Sequence, residues 1–182
     1  MTNYCAATES AAGIMTLKYF AFGSNLASLR LLQRIPEATV QGVAILDEHR
    51  LSWRKNGHDQ SGKCDIEFTG ETEHLVYGVV YHMTHDEKLE LDVYECADFG
   101  YAHKTVEVTS LEGDRIEAFT YYALDIDERQ QPYHWYKEHV LRGALEHGFP
   151  LHYVEQIRAT PSINDHDVER HERELSIYPD PE

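Results

Sequence analysis

The spacing of apolar positions divides the chain into short strands and a few helices. Leu17 to Phe22 is a nearly continuous apolar and aromatic run, which predicts a buried strand. After Gly23-Ser24-Asn25 the period changes: Leu29, Leu32 and Ile35 recur at helical spacing and predict a helix over Ala27 to Arg34. Val40 to Trp53 alternates loosely, as one or two strands would. Arg54 to Lys63, which holds Asn56-Gly57 and Ser61-Gly62, reads as a flexible loop, either a plain hairpin connection or a rim over a binding site. His74 to Met83 is rich in β-branched and aromatic residues and predicts a further strand. Thr84-His85-Asp86-Glu87 is a capping-box pattern that opens a helix running to about Tyr94. Lys104 to Leu111 and Ile116 to Ala123 predict a hairpin about Glu112-Gly113-Asp114. Pro132 to His147 predicts a long helix stopped by Gly148. Pro150 then suits the first turn of a short helix that ends near Ala159. Asp165 to Leu175 is charged and weakly helical in pattern. Strands interleaved with and followed by helices indicate an α+β fold or a mixed barrel.

Length bounds the organisation. A chain of 182 residues is one domain, or one domain with tails. The division expected is an extension over 1–14, a catalytic domain over 15–163 and an acidic tail over 164–182. Both ends are poor in core-forming residues, so both are expected to be dispensable for chemistry.

Charge and cysteine content narrow the class. There are 16 basic residues against 32 acidic ones, a formal net charge of −16. Phosphate contacts need clustered Lys and Arg, so no nucleic-acid partner is expected. Docking on anionic membranes is disfavoured for the same reason, and no apolar run is long enough to span a bilayer. Cys5, Cys64 and Cys96 are odd in number and widely spaced, which fits a reduced, cytoplasmic setting. The 12 histidines form no closed ligand set, and His-Glu-x-x-His is absent, so no metal and no cofactor are expected.

Three segments carry candidate chemistry. The first is Tyr19-Phe20-Ala21-Phe22-Gly23-Ser24-Asn25-Leu26, a buried strand running into a tight turn and a helix start. Gly23 is expected to supply backbone angles closed to other residues, and Ser24 and Asn25 are good N-caps. Such a turn presents backbone N–H groups to an anion. The second is Leu91-Asp92-Val93-Tyr94-Glu95, with Tyr101 six residues on. A lone Glu is ordinarily a solvated surface charge. Glu95, however, ends a helix that follows a buried strand, and the small pair Cys96-Ala97 comes next. The third is Tyr133-His134-Trp135-Tyr136-Lys137 at the head of the long helix, running into Gly143-Ala144. Tyr133, Tyr136, Val140 and Ala144 share helical spacing, so Tyr136 reads either as core or as a substrate hydrogen-bonder, and Tyr133 as core. Tyr19, Tyr101 and Tyr121 default to core packing. Cys64 and Cys96 have no nameable His partner for nucleophilic chemistry.

In order and spacing these segments resemble the gamma-glutamylcyclotransferase family. Its members open with Tyr-Gly-Ser-Asn-Leu and place one Glu after Leu-Asp-x-x-Glu. Ser61 to Ile66 and Val76 to Tyr81 look like that family too, and the resemblance extends from about Leu17 to Thr160. Two positions depart from it: Phe22 stands where Tyr is common, and Cys96 where Gly is usual. The resemblance implies a small, closed, mixed β-barrel flanked by helices. It implies cyclisation of a small-molecule gamma-glutamyl amino acid or amine to 5-oxoproline, with Glu95 as general acid and base. It places the substrate on Phe22, Gly23, Ser24, Asn25 and Leu26 and on Tyr136. Relatives act on glutathione, on gamma-glutamyl-lysine-type amines or on protected antibiotic precursors, and Asn25-Leu26 argues against the glutathione branch. A non-catalytic binding module and an acidic interaction domain remain as other classes.

Overall fold

A computed structural model describes residues 16–95 and 100–179. Cys5, Cys96 and Ala97 lie outside the described residues, as does the expected 1–14 extension. Among the described residues there are seven strands: β1 (Thr16–Ala21), β2 (Thr39–Asp47), β3 (His49–Asn56), β4 (Gly62–Phe68), β5 (Leu75–Thr84), β6 (Tyr101–Ser110) and β7 (Arg115–Ala123). Five helices accompany them: α1 (Ser28–Arg34), α2 (His85–Tyr94), α3 (His134–Glu146), α4 (Leu151–Ala159) and α5 (Val168–Leu175).

Five strands close into a barrel in the order β1-β5-β2-β6-β7. Neighbours within it pair antiparallel, and β7 returns to β1 through a parallel contact at Tyr19–Phe119. The implied small mixed barrel is therefore present and closed, and the fold is α+β. Val79, Val80 and Tyr81 are consecutive in β5 and all fully buried, so this strand is covered on both faces; Phe20, Val76 and Val108 are fully buried too. β3 and β4 form a separate hairpin. The Asp65 side chain pins it to the barrel, accepting from Ala123 N–H at 2.8 Å and from Arg54 Nε at 3.0 Å.

Several expectations hold at the level of single elements. Thr84 and Glu87 form a complete capping box at the start of α2. The β6–β7 hairpin turns at Glu112-Gly113-Asp114, and α3 stops just before Gly148. Three expectations need correction. α1 buries Leu31, and Ile35 just past its end is fully buried, while Leu29 and Leu32 face solvent. The segment expected as a flexible loop is mostly ordered by hydrogen bonds. β3 runs on to Asn56, Gly57 N–H donates to Ser61 O at 2.9 Å, and Asp59 accepts from Ser61 and Lys63. The Ser61 to Ile66 stretch, which in sequence carries only the family resemblance, lies largely within the strand β4.

The segment set apart as an acidic tail is joined to the body. Trp135 Nε1 donates to Asp165 Oδ2 at 2.8 Å, and Arg170 caps the same carboxylate. Glu174 on α5 pairs with Arg30 on α1, and the Tyr178 hydroxyl meets His139 Nδ1 at 2.6 Å.

Candidate active site

The turn after β1 is built by close packing. Ser24–Leu26 is one turn of 3-10 helix closed by Leu26 N–H donating to Gly23 O at 2.9 Å. The backbone of Leu26 and Ala27 lies directly on Gly143 of α3. A Cβ at Gly143 would collide with both, so the small residue fixes how the turn sits on the helix. Gly23 is needed for a similar reason and not for the reason read from the sequence. Its φ is −109°, on the side any residue can adopt. A Cβ there would stand 3.0 Å from Cys64 Cβ and 3.4 Å from the Tyr136 hydroxyl. Ser24 and Asn25 do not cap helices either: neither the 3-10 turn nor α1 has a side-chain cap. Leu26 is fully buried and its N–H is consumed inside the turn. Ser24 and Asn25 therefore carry the N–H groups that the turn itself leaves unpaired.

Asn25 instead spends its side chain on Glu95. Its Nδ2 donates to Glu95 Oε1 at 2.9 Å and lies 3.1 Å from the Tyr19 hydroxyl. Arg34, in the last turn of α1, completes the arrangement: Nη1 reaches Asn25 Oδ1 at 3.0 Å and Glu95 Oε1 at 3.2 Å. Glu95 sits at the C-terminus of α2, whose last turn holds no basic residue. A helix C-terminus disfavours a carboxylate, and the Arg34 guanidinium offsets that. Oε1 is thus doubly held, and among the described residues no hydrogen bond engages Oε2. Neighbouring Asp92 accepts from the Tyr121 hydroxyl at 2.7 Å and from Lys88, which steadies the same helix end.

Two tyrosines flank the carboxylate. The Tyr136 hydroxyl accepts from Cys64 N–H at 3.1 Å, and the Tyr101 hydroxyl donates to Cys64 O at 2.8 Å. Burial pushes both phenols well above their ordinary range, so both stay protonated donors. The Cys64 thiol is likewise pushed up by burial, which makes it a poor nucleophile. Among the described residues, no group of three or more His, Cys, Asp or Glu side chains is gathered as metal ligands.

These residues border two adjoining cavities. A narrow one, about 20 Å³, is lined by Tyr19, Phe22, Gly23, Ser24, Asn25, Cys64, Glu95, Tyr101, Tyr121 and Tyr136. A wider one, about 230 Å³, shares Ser24, Glu95, Tyr101 and Tyr136 and adds Arg30, Arg34, Lys55, Lys63 and Trp135. His58 and Asp59 also line it, so the segment after β3 does form part of the rim. A larger cleft, about 400 Å³, lies around Trp53, Tyr77 and Tyr153 and contains none of the candidate site residues. Convergence of a held carboxylate and buried hydroxyls identifies the site better than size does. The structure thus brings together Phe22, Gly23, Ser24, Asn25, Tyr136 and Glu95, whereas Leu26 serves as packing. Arg34 and Lys55 escaped the sequence reading, and Tyr101, read by default as core, lines both cavities. An Arg in the last turn of a helix reads as ordinary compensation of the helix dipole, and nothing local links it to a Glu 61 residues on.

A family model described as AIG2-like matches residues 75–157. A human protein named gamma-glutamylcyclotransferase is 33% identical over 149 residues, 78% of this chain and 77% of its own length. The mouse protein of the same name is 32% identical over 152 residues, 79% of this chain and 78% of its own length. A solved structure titled gamma-glutamyl cyclotransferase superposes with a TM-score of 0.76 at 27% identity, covering 86% of this chain and 97% of that one. The chain belongs to the gamma-glutamylcyclotransferase family.

Proposed function

We propose that the protein cyclises a gamma-glutamyl amino acid or amine, releasing 5-oxoproline and the free amine in the cytosol. One observation carries the mechanism: Glu95 is fixed through one oxygen by Asn25 and Arg34 and lines a cavity together with Ser24 and Asn25.

In this reading the substrate α-carboxylate rests on the N–H groups of Ser24 and Asn25. Rigid backbone donors need no reorganisation during reaction. The substrate α-ammonium cannot attack until it loses a proton, and Glu95 Oε2 accepts it. The freed amine attacks the γ-carbonyl carbon and closes the five-membered ring. The amide C–N bond then breaks as Glu95 returns the proton to the departing nitrogen, and the emptied carboxylate takes the second proton that the ring nitrogen sheds on becoming a lactam N–H and passes it to the released amine, which leaves as an ammonium. One carboxylate serves both steps if it reaches both nitrogens. The Arg34 pairing keeps Oε1 in place, so the side chain does not swing during the transfer. The Tyr136 hydroxyl, which accepts from Cys64 N–H and leaves its own proton uncommitted, is a donor at the cavity wall and suits an oxygen that gains charge. Proton transfer of this kind contributes about 10²–10⁴-fold, and holding the substrate in its cyclising conformation adds to that. The names of the relatives support this chemistry.

The test is incubation with a panel of gamma-glutamyl amino acids and amines, followed by mass-spectrometric detection of 5-oxoproline. At least one member should yield 5-oxoproline and its amine in equal amounts. Release of free glutamate instead would mean hydrolysis and would overturn the reading.

A further inference from the structure

The turn that carries Ser24 and Asn25 leaves one backbone group outside regular secondary structure. Leu26 is fully buried, and among the described residues no backbone N–H reaches its carbonyl, because α1 begins by bonding to Ala27 O. A buried carbonyl without a partner is as unfavourable as a lost hydrogen bond. Two side chains meet this one. His147 Nε2 lies 3.0 Å from Leu26 O, and the Tyr81 hydroxyl donates to the same oxygen at 3.3 Å. A carbonyl only accepts, so Nε2 carries the imidazole proton. Burial pushes the Tyr81 phenol up to about 12, which keeps it a donor as well. Tyr81 comes from β5 in the barrel wall, and His147 caps the C-terminus of α3. The same end of α3 grips the next residues: Ser28 N–H donates to Glu146 Oε2 at 3.1 Å, and Ser28 Oγ lies 3.4 Å from His147 Nε2. One helical turn back, Gly143 lies against the Leu26–Ala27 backbone.

We infer that His147, together with Tyr81, is a positioning residue for substrate binding: by holding the Leu26 carbonyl it fixes the aim of the Ser24 and Asn25 N–H groups at the substrate α-carboxylate. The inference rests on the carboxylate placement proposed above. Neither side chain lines the narrow or the wider cavity, so an effect on turnover runs through the turn. Without its donors the buried carbonyl turns towards another partner and rotates the Leu26–Ala27 peptide. Leu26 N–H closes the turn on Gly23 O, so the disturbance reaches the two N–H groups that face the anion.

The test compares gamma-glutamyl-alanine with its analogue whose glutamyl α-carboxylate is a primary carboxamide. The two compounds differ only at the group the turn receives. A variant's effect on the ratio of their kcat/KM values cancels whatever it does to both alike. In the unaltered protein the ratio should favour the carboxylate by about 10-fold or more, as charge-assisted hydrogen bonds supply. His147→Leu should cut the ratio by roughly 3-fold or more, the scale of one hydrogen bond. Adding Tyr81→Phe should bring it to within a few-fold of one. His147→Gln, whose amide nitrogen can stand where Nε2 does, should keep most of it. His147 is only half-buried, so the single Leu variant keeps the test open even if the double variant fails to fold. An unchanged ratio in folded His147→Leu overturns the inference, even if both activities fall, because His147 would then act on stability alone. A ratio near one in the unaltered protein would instead strike the carboxylate placement, and absence of 5-oxoproline from both compounds would strike the cyclisation reading.

Discussion

Glu95 and Gly23 show how far a single residue's role can be read from its neighbours in sequence. The importance of the Gly23 turn was plain from the abrupt end of the apolar run. Its cause was not, because the atoms that demand a glycine belong to Cys64 and Tyr136, far away in the chain. Asn25 read as a cap and proved to be the hydrogen-bond donor that positions Glu95. Gly23→Val follows from the close approach. Its side chain would press on Cys64 and on the Tyr136 hydroxyl at the wall of the narrow cavity. Overpacking of this kind costs about 1–3 kcal/mol. The variant should fold with a lowered melting temperature and lose kcat/KM, because its side chain intrudes on the wall of the narrow cavity. Thermal melting and steady-state kinetics on one preparation check this. Native kinetics from a folded variant would place the anion site elsewhere.

At the scale of elements, pattern identified most strands and helices but not always their buried faces. α1 is only seven residues long, so three leucines offer more than one helical stripe. The stripe that is buried, Leu31 and Ile35, is chosen by tertiary packing. β4 was missed because Gly62-Lys63-Cys64-Asp65 lacks the β-branched signature. It is a strand because its edge pairs with β3 and because Asp65 and Tyr101 anchor it. α5 was undervalued because charged residues dominate it. Charged side chains hold it down: Glu174 to Arg30 and His139, with Tyr178 on His139 as well. Burial lowers the His139 ring to about 4, with the Arg30 charge adding to that and Glu174 opposing it. Burial alone would raise the Glu174 carboxyl, but His139 and Arg30 outweigh it and hold the group near 2. Both folded values lie below the unfolded ones, so both contributions are complete above the unfolded values and disappear as pH falls. For His139 the window runs from about 6.5 down to about 4, and for Glu174 from about 4.5 down to about 2. The melting temperature should therefore fall from pH 6.5 to pH 4, with the His139 part on the order of 2 kcal/mol. A chain ending at Ile163 should start less stable and show less of this fall, because removing Glu174 and Tyr178 uncovers His139. It should also turn over more slowly, since Arg30 and Trp135 line the wider cavity. Melting curves of both chains across this range decide the matter. Equal slopes, or unchanged stability, would refute the role given to α5.

For the whole molecule, charge and closure are the properties that local reading handles least well. A net charge of −16 gives no sign of the cationic cavity assembled from α1, β3 and β4. Barrel closure rests on a parallel contact between β1 and β7, which no periodicity announces, and it was implied only by the family resemblance. Closure matters to the chemistry. It brings the end of β1 against α2 and α3, so that a turn, a helix C-terminus and a helix face meet around one carboxylate. The central claim is that this carboxylate moves the proton. Glu95→Gln retains the shape of the side chain and can still hydrogen-bond Asn25, but it cannot accept a proton from an ammonium. The most direct measurement is single-turnover release of 5-oxoproline by the Gln variant, alongside its affinity for the same gamma-glutamyl substrate. Release should fall by about 10²-fold or more with affinity changed only a few-fold. Near-native release by a folded Gln variant would contradict the account.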